Sequence, residues 1–242
     1  MGTEEFKNEF DVIYNNASAG APGLDNYEIS FYLTLAQEGL VKQAYLDSKD
    51  PTGSFESREY NRRILDQLVV DEKLTTSISS DRALVPESKF FELSNLVMFI
   101  VLETVKLNAP GTPFHGKLIE VKPTTHDEFM KSYKSPFRRP NENKAWRVDL
   151  SKENSKYTTE IVSKYDIAVY NARYIKYPRP IIVSDLRHDD EVGGLGLKIN
   201  GTQAPFTCEL NNLVHRDILE KAVVLAVRDY RDGTLQAKVQ VK

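Results

Sequence analysis

Cysteine is almost absent from this chain. Cys208 is the only one in 242 residues, which excludes an intrachain disulfide and any metal site built from several thiolates. A lone thiol suits a protein assembled in a reducing compartment. Long apolar runs are missing as well. None approaches the roughly 20 residues of a membrane-spanning helix, so no membrane partner is expected. Charge of one sign is not in excess either. Lys and Arg number 32 against 35 Asp and Glu, and the resulting −3 implies no bulk attraction to nucleic acid or anionic lipid. The segment MGTEEFKNEF lacks a basic stretch followed by an apolar one, so no signal peptide is expected. Gly2 lacks the Ser or Thr that a myristoylation site needs.

Catalytic signatures are also wanting. His115, His126, His188 and His215 form no i, i+4 metal pair and no HExxH. No GxSxG elbow, Walker A loop or GxGxxG follows a strand. Gly193-Gly194-Leu195-Gly196 leads into a strand rather than a helix, so it lacks the amide cradle of a phosphate loop. Asp185, His188, Asp189 and Glu191 form an acidic cluster whose spacing matches no EF-hand; it reads as a solvated loop. No enzyme, cofactor or metal is expected.

What is present is an ordinary globular composition, 40% hydrophobic and 28% charged, enough to bury a sizeable core at this length. The clearest pattern runs from Asp25 to Asp47. Ile29, Leu33, Ala36, Leu40 and Ala44 recur at helical spacing, and Asp25 with Glu28 makes a capping box. Gly39 interrupts this helix at a cost of about 1 kcal/mol relative to Ala. Phe31 and Leu35 lie almost opposite the main stripe, so the helix needs a second apolar partner. Either a loop or sheet of the same chain or a neighbouring subunit supplies it.

Other helices are expected over Thr3–Asn16, with Thr3 as cap, over Ser57–Val70, briefly after Thr125, and over Asn212–Tyr230. The last is capped by Asn211 or Asn212 and stopped by Gly233. Val224 stands on its charged face, which again asks for burial from two sides. Strands are expected at Leu96–Leu107, Lys117–Lys122 and Lys144–Leu150, and as one or two within Tyr157–Tyr177. PESKFFELSN reads as a loop or short turn, and Asn200-Gly201 as a hairpin turn. With few candidate crossover helices, antiparallel pairing is expected. The tail TLQAKVQVK alternates Leu235, Ala237, Val239 and Val241 with polar residues, a strand that pairs either with another chain or with the parent sheet. The fold class is α+β. A helical layer spans 1–80, a central antiparallel β region with a short helix 81–206, and a long C-terminal helix with an extended tail 207–242, integrated into one domain.

Lys131, Lys134, Arg138, Arg139, Lys144 and Arg147 cluster around Tyr133, Phe137 and Trp146. Such a mixture suits three roles: ordinary surface, a protein interface, or phosphate contact with base stacking.

Several separated strings resemble a virion protein of the crAss-like phages. They begin at Glu9-Phe10-Asp11-Val12 and Tyr14-Asn15-Asn16 and run through Ala21-Pro22-Gly23-Leu24-Asp25, Leu33-Thr34 and Ala36-Gln37-Glu38. They return at Ser135-Pro136-Phe137, Ala145-Trp146-Arg147 and Arg173-Tyr174-Ile175-Lys176. Pro180-Ile181-Ile182 and Cys208-Glu209-Leu210-Asn211 follow, and the last is Ala222-Val223. The resemblance implies a structural component of the head-to-tail connector, assembled in the host cytoplasm. It implies a ring, commonly twelve-fold, that docks on the portal and on adjacent tail rings and surrounds the genomic DNA without sequence preference. A more distal tail ring or hub is the alternative within the virion; a nucleic-acid-binding protein using residues 131–147 is the alternative outside it. A ring subunit needs two different adhesive faces. The candidate interface residues are Phe31, Leu35, Phe137, Trp146, Arg147, Val224, Leu235, Val239 and Val241.

Overall fold

The structure is a computed structural model of the chain. It describes residues 1–17, 21–46, 55–78, 83–86, 88–149, 157–187 and 196–240, with the backbone alone at 55 and 232–240. Two units are formed, one from residues 1–68 with 178–242 and one from residues 69–177.

The first unit holds four helices among the described residues. These are α1 (Thr3–Ala17), α2 (Asn26–Leu46), α3 (Glu59–Leu65) and α5 (His215–Gln240). The capping box at α2 forms as expected. The Glu28 amide donates to Asp25 Oδ1 at 2.7 Å, and the Asp25 amide to Glu28 Oε2 at 3.1 Å. Ile29, Leu33, Ala36 and Ala44 are buried. Helix α1 starts a residue earlier than the expected Thr3 cap: the Gly2 carbonyl accepts from Phe6, and the Gly2 amide donates to Glu5. Phe6, Phe10 and Tyr14 form its buried face.

Helix α3 is shorter than the expected Ser57–Val70. Val69 and Val70 leave it for the first strand, because paired β-branched residues gain more in a sheet ladder than at a fraying helix end. At the other end of the chain, the Leu213 amide donates to Asn211 Oδ1 at 3.1 Å, the expected cap. A 3₁₀ turn over Asn212–Val214 leads into α5. The expected stop at Gly233 and the strand beyond it are not formed, since the backbone is helical to Gln240. One internal glycine costs about 1 kcal/mol. Leu235, Gln236, Ala237 and Lys238 have high helix propensity, which favours continuing the ladder. The hairpin turn is present: Asn200 (φ 48°) and Gly201 (φ 81°) are both left-handed, as a type I′ turn needs. Only a single bridge, Ile199 to Thr202, flanks it among the described residues.

The second unit is a seven-stranded sheet in the order β1-β7-β3-β4-β5-β6-β2, with helix α4 (His126–Ser132). The strands are β1 (Val69–Leu74), β2 (Lys89–Leu93), β3 (Val97–Asn108), β4 (Leu118–Pro123), β5 (Lys144–Asp149), β6 (Tyr157–Val162) and β7 (Asp166–Lys176). Two expectations are corrected. The stretch read as a PESKFFELSN loop contains β2, whose Phe90 and Phe91 are buried against β6 and the core. And the expected antiparallel pairing, which holds for the other strand pairs of the sheet, gives way between β4 and β5, which run parallel because the segment containing α4 carries the chain back as a crossover. Thr125 caps it, accepting from the Glu128 amide at 3.2 Å.

The sheet curls around its core. Phe91 on β2 meets Tyr170 on β7, with ring centroids 5.1 Å apart, although these strands lie near opposite ends of the order. Val105, Leu107, Ile119, Val121, Ala145 and Ile161 fill the space between. Alternation along β5 turns Ala145 and Arg147 inward. Trp146 and Val148 turn the other way, against Phe129 of α4, Val85 and Val162.

Candidate assembly surface

The buried polar side of α2 explains how this helix is held. Thr34 Oγ1 exchanges hydrogen bonds with the Ile181 amide and carbonyl (3.1 and 3.3 Å). Ser30 Oγ accepts from the Val183 amide (3.1 Å), and Gln37 Nε2 donates to the Arg179 carbonyl (3.0 Å). The proline-interrupted stretch 179–183 has little strand pairing, so helix side chains satisfy its backbone instead. The same chain thus supplies the second partner for one side of α2. It does not cover Phe31 or Leu35, which remain 44% and 40% exposed.

Two contacts set α2 against α5. The Tyr32 hydroxyl donates to Asp229 Oδ2 at 3.5 Å. Lys221 crosses Gly39, with its Nζ 3.0 Å from where a Cβ would stand. The helices are therefore antiparallel, and Leu35 falls level with Val224 between the two contacts. At 100° per residue, Phe31 and Leu35 on α2 share one outer side with Val224 and Arg228 on α5. Val224 is 65% exposed. The resulting face is apolar at its middle and charged at its margins. Lys42 pairs with Glu38 at 3.6 Å and Arg216 with Glu220 at 3.4 Å. Lys221 makes no ion pair among the described residues, and partial burial lowers its ammonium pKa. Gly39 is thus where the long arm of Lys221 passes, a neighbour that helix periodicity does not show.

The basic and aromatic cluster does not come together as one surface. Trp146 is buried by α4 and its neighbours. Arg147 is also buried, paired with Glu103 and, at 2.8 Å, with Asp149. Both are occupied by the chain's own packing and are unavailable to a partner. Phe137 is the opposite case, 97% exposed. Leu235 and Val239 lie on helical backbone in α5, and Val241 falls outside the described residues. Most of the acidic cluster, His188 to Glu191, and Gly193 to Leu195 also fall outside. Asp185 is held by Arg187 at 3.1 Å.

Sequence reading missed the buried ionic core of the sheet. Glu103 accepts from Arg147 and from the Tyr170 hydroxyl. Burial pushes the Glu103 carboxyl up, partly offset by Arg147 beside it, and raises the Tyr170 phenol. The same region pushes Tyr157 up to about 12, through burial and Asp149. The missed signal is period two: Glu103 shares an inward face with Val105 and Leu107. Glu160, also buried, accepts from the Leu84 amide and Ser88 hydroxyl at 2.7 and 2.6 Å. These groups brace the fold; among the described residues no cluster of metal-ligating side chains occurs.

Comparison with known proteins supplies the chain's relatives. Residues 1–238 match the family model described as phage tail ring protein 3/4. The chain belongs to this family of phage tail ring proteins. It is 35% identical to "Ring protein 3" of Bacteroides phage crAss001 over 231 residues, covering 94% of this chain and 95% of the relative. It is 33% identical to "Ring protein 4/5" of the same phage, covering 100% of this chain and 98% of the relative. A structural role in a phage particle follows from membership of the ring-protein family, and the crAss-like resemblance read from the sequence is upheld.

Proposed function

We propose that the chain builds a closed ring of identical subunits in the tail or head-to-tail connector, around the channel through which the genome passes. The observation that carries this reading is the outer face of α2 and α5. Phe31, Leu35 and Val224 are exposed together, on helices otherwise well buried, and full burial of such side chains is worth roughly 1.5–3 kcal/mol each. A ring repeats that gain around its circumference. Twelve copies is the expected number. Contacts to the DNA inside are taken as non-specific, and they are weak per subunit, since a chain of net charge −3 has no bulk attraction to phosphate.

The position in the stack is the finer point. Docking directly on the portal is one reading; a layer further along the tail is the other. The ring numbers of the two relatives, three and upward, favour a layer beyond the first, with other ring proteins as its axial partners. Phe31→Asp tests the face. The variant subunit is expected to stay folded and soluble, because the side chain is exposed, while ring formation is lost in native mass spectrometry and negative-stain imaging. Intact rings would discard this face.

A further inference from the structure

Phe137 is the most exposed large apolar side chain among the described residues, and its loop is built rather than slack. Pro136 and Pro140 restrict it. The amides of Arg138 and Arg139 both donate to the Ser135 carbonyl, at 3.1 and 3.2 Å. Arg139 Nε donates to the Tyr133 carbonyl at 2.7 Å, and its guanidinium lies 5.2 Å from the centre of the Tyr133 ring. Tyr133 in turn stacks on the buried Phe129. An anchor held this way loses little conformational freedom on docking. Lys131, Lys134, Arg138 and Arg139 surround it in sequence, and none pairs with an acidic side chain among the described residues. The loop is therefore a phenyl knob with a positive collar.

The helical unit carries a surface of complementary character. Asn8, Glu9, Val12 and Ile13 of α1 line a groove of about 420 Å³ with Arg216 of α5. Val12 is 61% exposed. Arg216 is already paired with Glu220, whereas Glu9 has no ion pair among the described residues. Glu4 and Glu5 stand on the preceding turn and add to the negative charge. Around α5, Arg216, Glu220 and Val224 follow one another, so the groove adjoins the apolar face described above.

We infer that the Phe137 loop of one subunit docks into the α1/α5 groove of a second copy of this chain. The inference rests on the ring reading and names the surface that meets the helical face. Knob and groove are different surfaces of one chain, so the contact is heterologous; repeated with a closing rotation it makes a ring. The cationic collar meets the acidic rim of α1, which fixes register and excludes like-charged alternatives.

Cysteine cross-linking of assembled rings tests the contact. Native Cys208 is buried and its thiol is pushed up to about 11, so it stays silent under mild oxidation at neutral pH. The double variant Phe137→Cys with Val12→Cys is expected to give a ladder of covalent oligomers on a denaturing gel, and either single variant none. Rings that yield no ladder overturn the inference. Phe137→Asp supplies the second measurement. The subunit concentration at half-assembly is expected to rise about thirtyfold, the factor matching a 2 kcal/mol anchor, with the thermal midpoint unchanged. Unaltered assembly overturns the inference. Unaltered assembly with loss of salt-dependent binding to DNA overturns it in favour of a nucleic-acid contact. A wild-type chain that forms no ring at all sinks the ring reading itself, an outcome distinct from rings that ignore Phe137.

Discussion

Replacing Glu103 by alanine leaves the buried Arg147 guanidinium with only the part-exposed Asp149 as a counter-charge. Removing one partner of a buried pair costs about 3–5 kcal/mol, and that loss is expected in denaturant unfolding of Glu103→Ala. Glu103→Leu combined with Arg147→Met should recover part of it, since no charge is left buried: Asp149 is half-exposed to water, while the Tyr170 hydroxyl still loses its acceptor. His215 is the second residue whose setting has a measurable consequence. Its Nε2 faces the Leu210 carbonyl at 3.0 Å, Phe6 packs on its ring, and the N-terminal amine lies 3.2 Å from Nδ1. Burial, with that amine adding to it, holds the imidazole below its ordinary 6.5. The unfolded chain therefore takes up this proton first as pH falls. The stabilising contribution is complete above about 6.5 and declines as pH drops through the lower folded value. Unfolding midpoints between pH 7.5 and 5 should show that decline, and His215→Gln should flatten it; an equal slope in both proteins would remove His215 as its source.

At the scale of elements, α2 is specified by its own residues. The Asp25–Glu28 box, the stripe from Ile29 to Ala44 and the break at Pro22-Gly23 all agree on where it lies. Its one inconsistency is Gly39, over which the end of the Lys221 side chain passes. The atoms met are the end of a mobile side chain, so Gly39→Ala should stabilise the protein by up to about 1 kcal/mol as Lys221 swings aside. A destabilised variant would mean that the ammonium cannot leave its place over the helix. Helix α3 and strand β2 were less legible. Val69 and Val70 extend a helical pattern just as well as they begin a strand, and Phe90-Phe91 reads as a loop until β6 is beside it. In each case the pairing strand is distant in sequence, and its hydrogen bonds outweigh local propensity.

For the whole molecule, the N-terminal and C-terminal segments belong to one unit while the sheet makes the other, an arrangement that linear composition does not announce. The C-terminal segment belongs to this scale. Leu235 and Val239 stand on a continuation of α5, so a neighbour would receive a helix there rather than an added strand. Deleting Thr234–Lys242 is expected to leave the ring intact and to weaken its co-assembly with the adjoining ring or portal. Co-assembly at wild-type strength would dismiss this role.

Local patterns in the sequence by themselves determined the helices α1, α2 and α5, four of the later strands, the capped α4 and the kinship to phage ring proteins. Each of these is written in residues that are neighbours, or in short strings that need no fold to be recognised. Tertiary structure decided which apolar residues stay uncovered. Trp146 and Phe137 look alike in sequence, yet one is sealed under α4 and the other stands in water. Burial is a property of what arrives from elsewhere in the chain, and periodicity records a face without recording its neighbour.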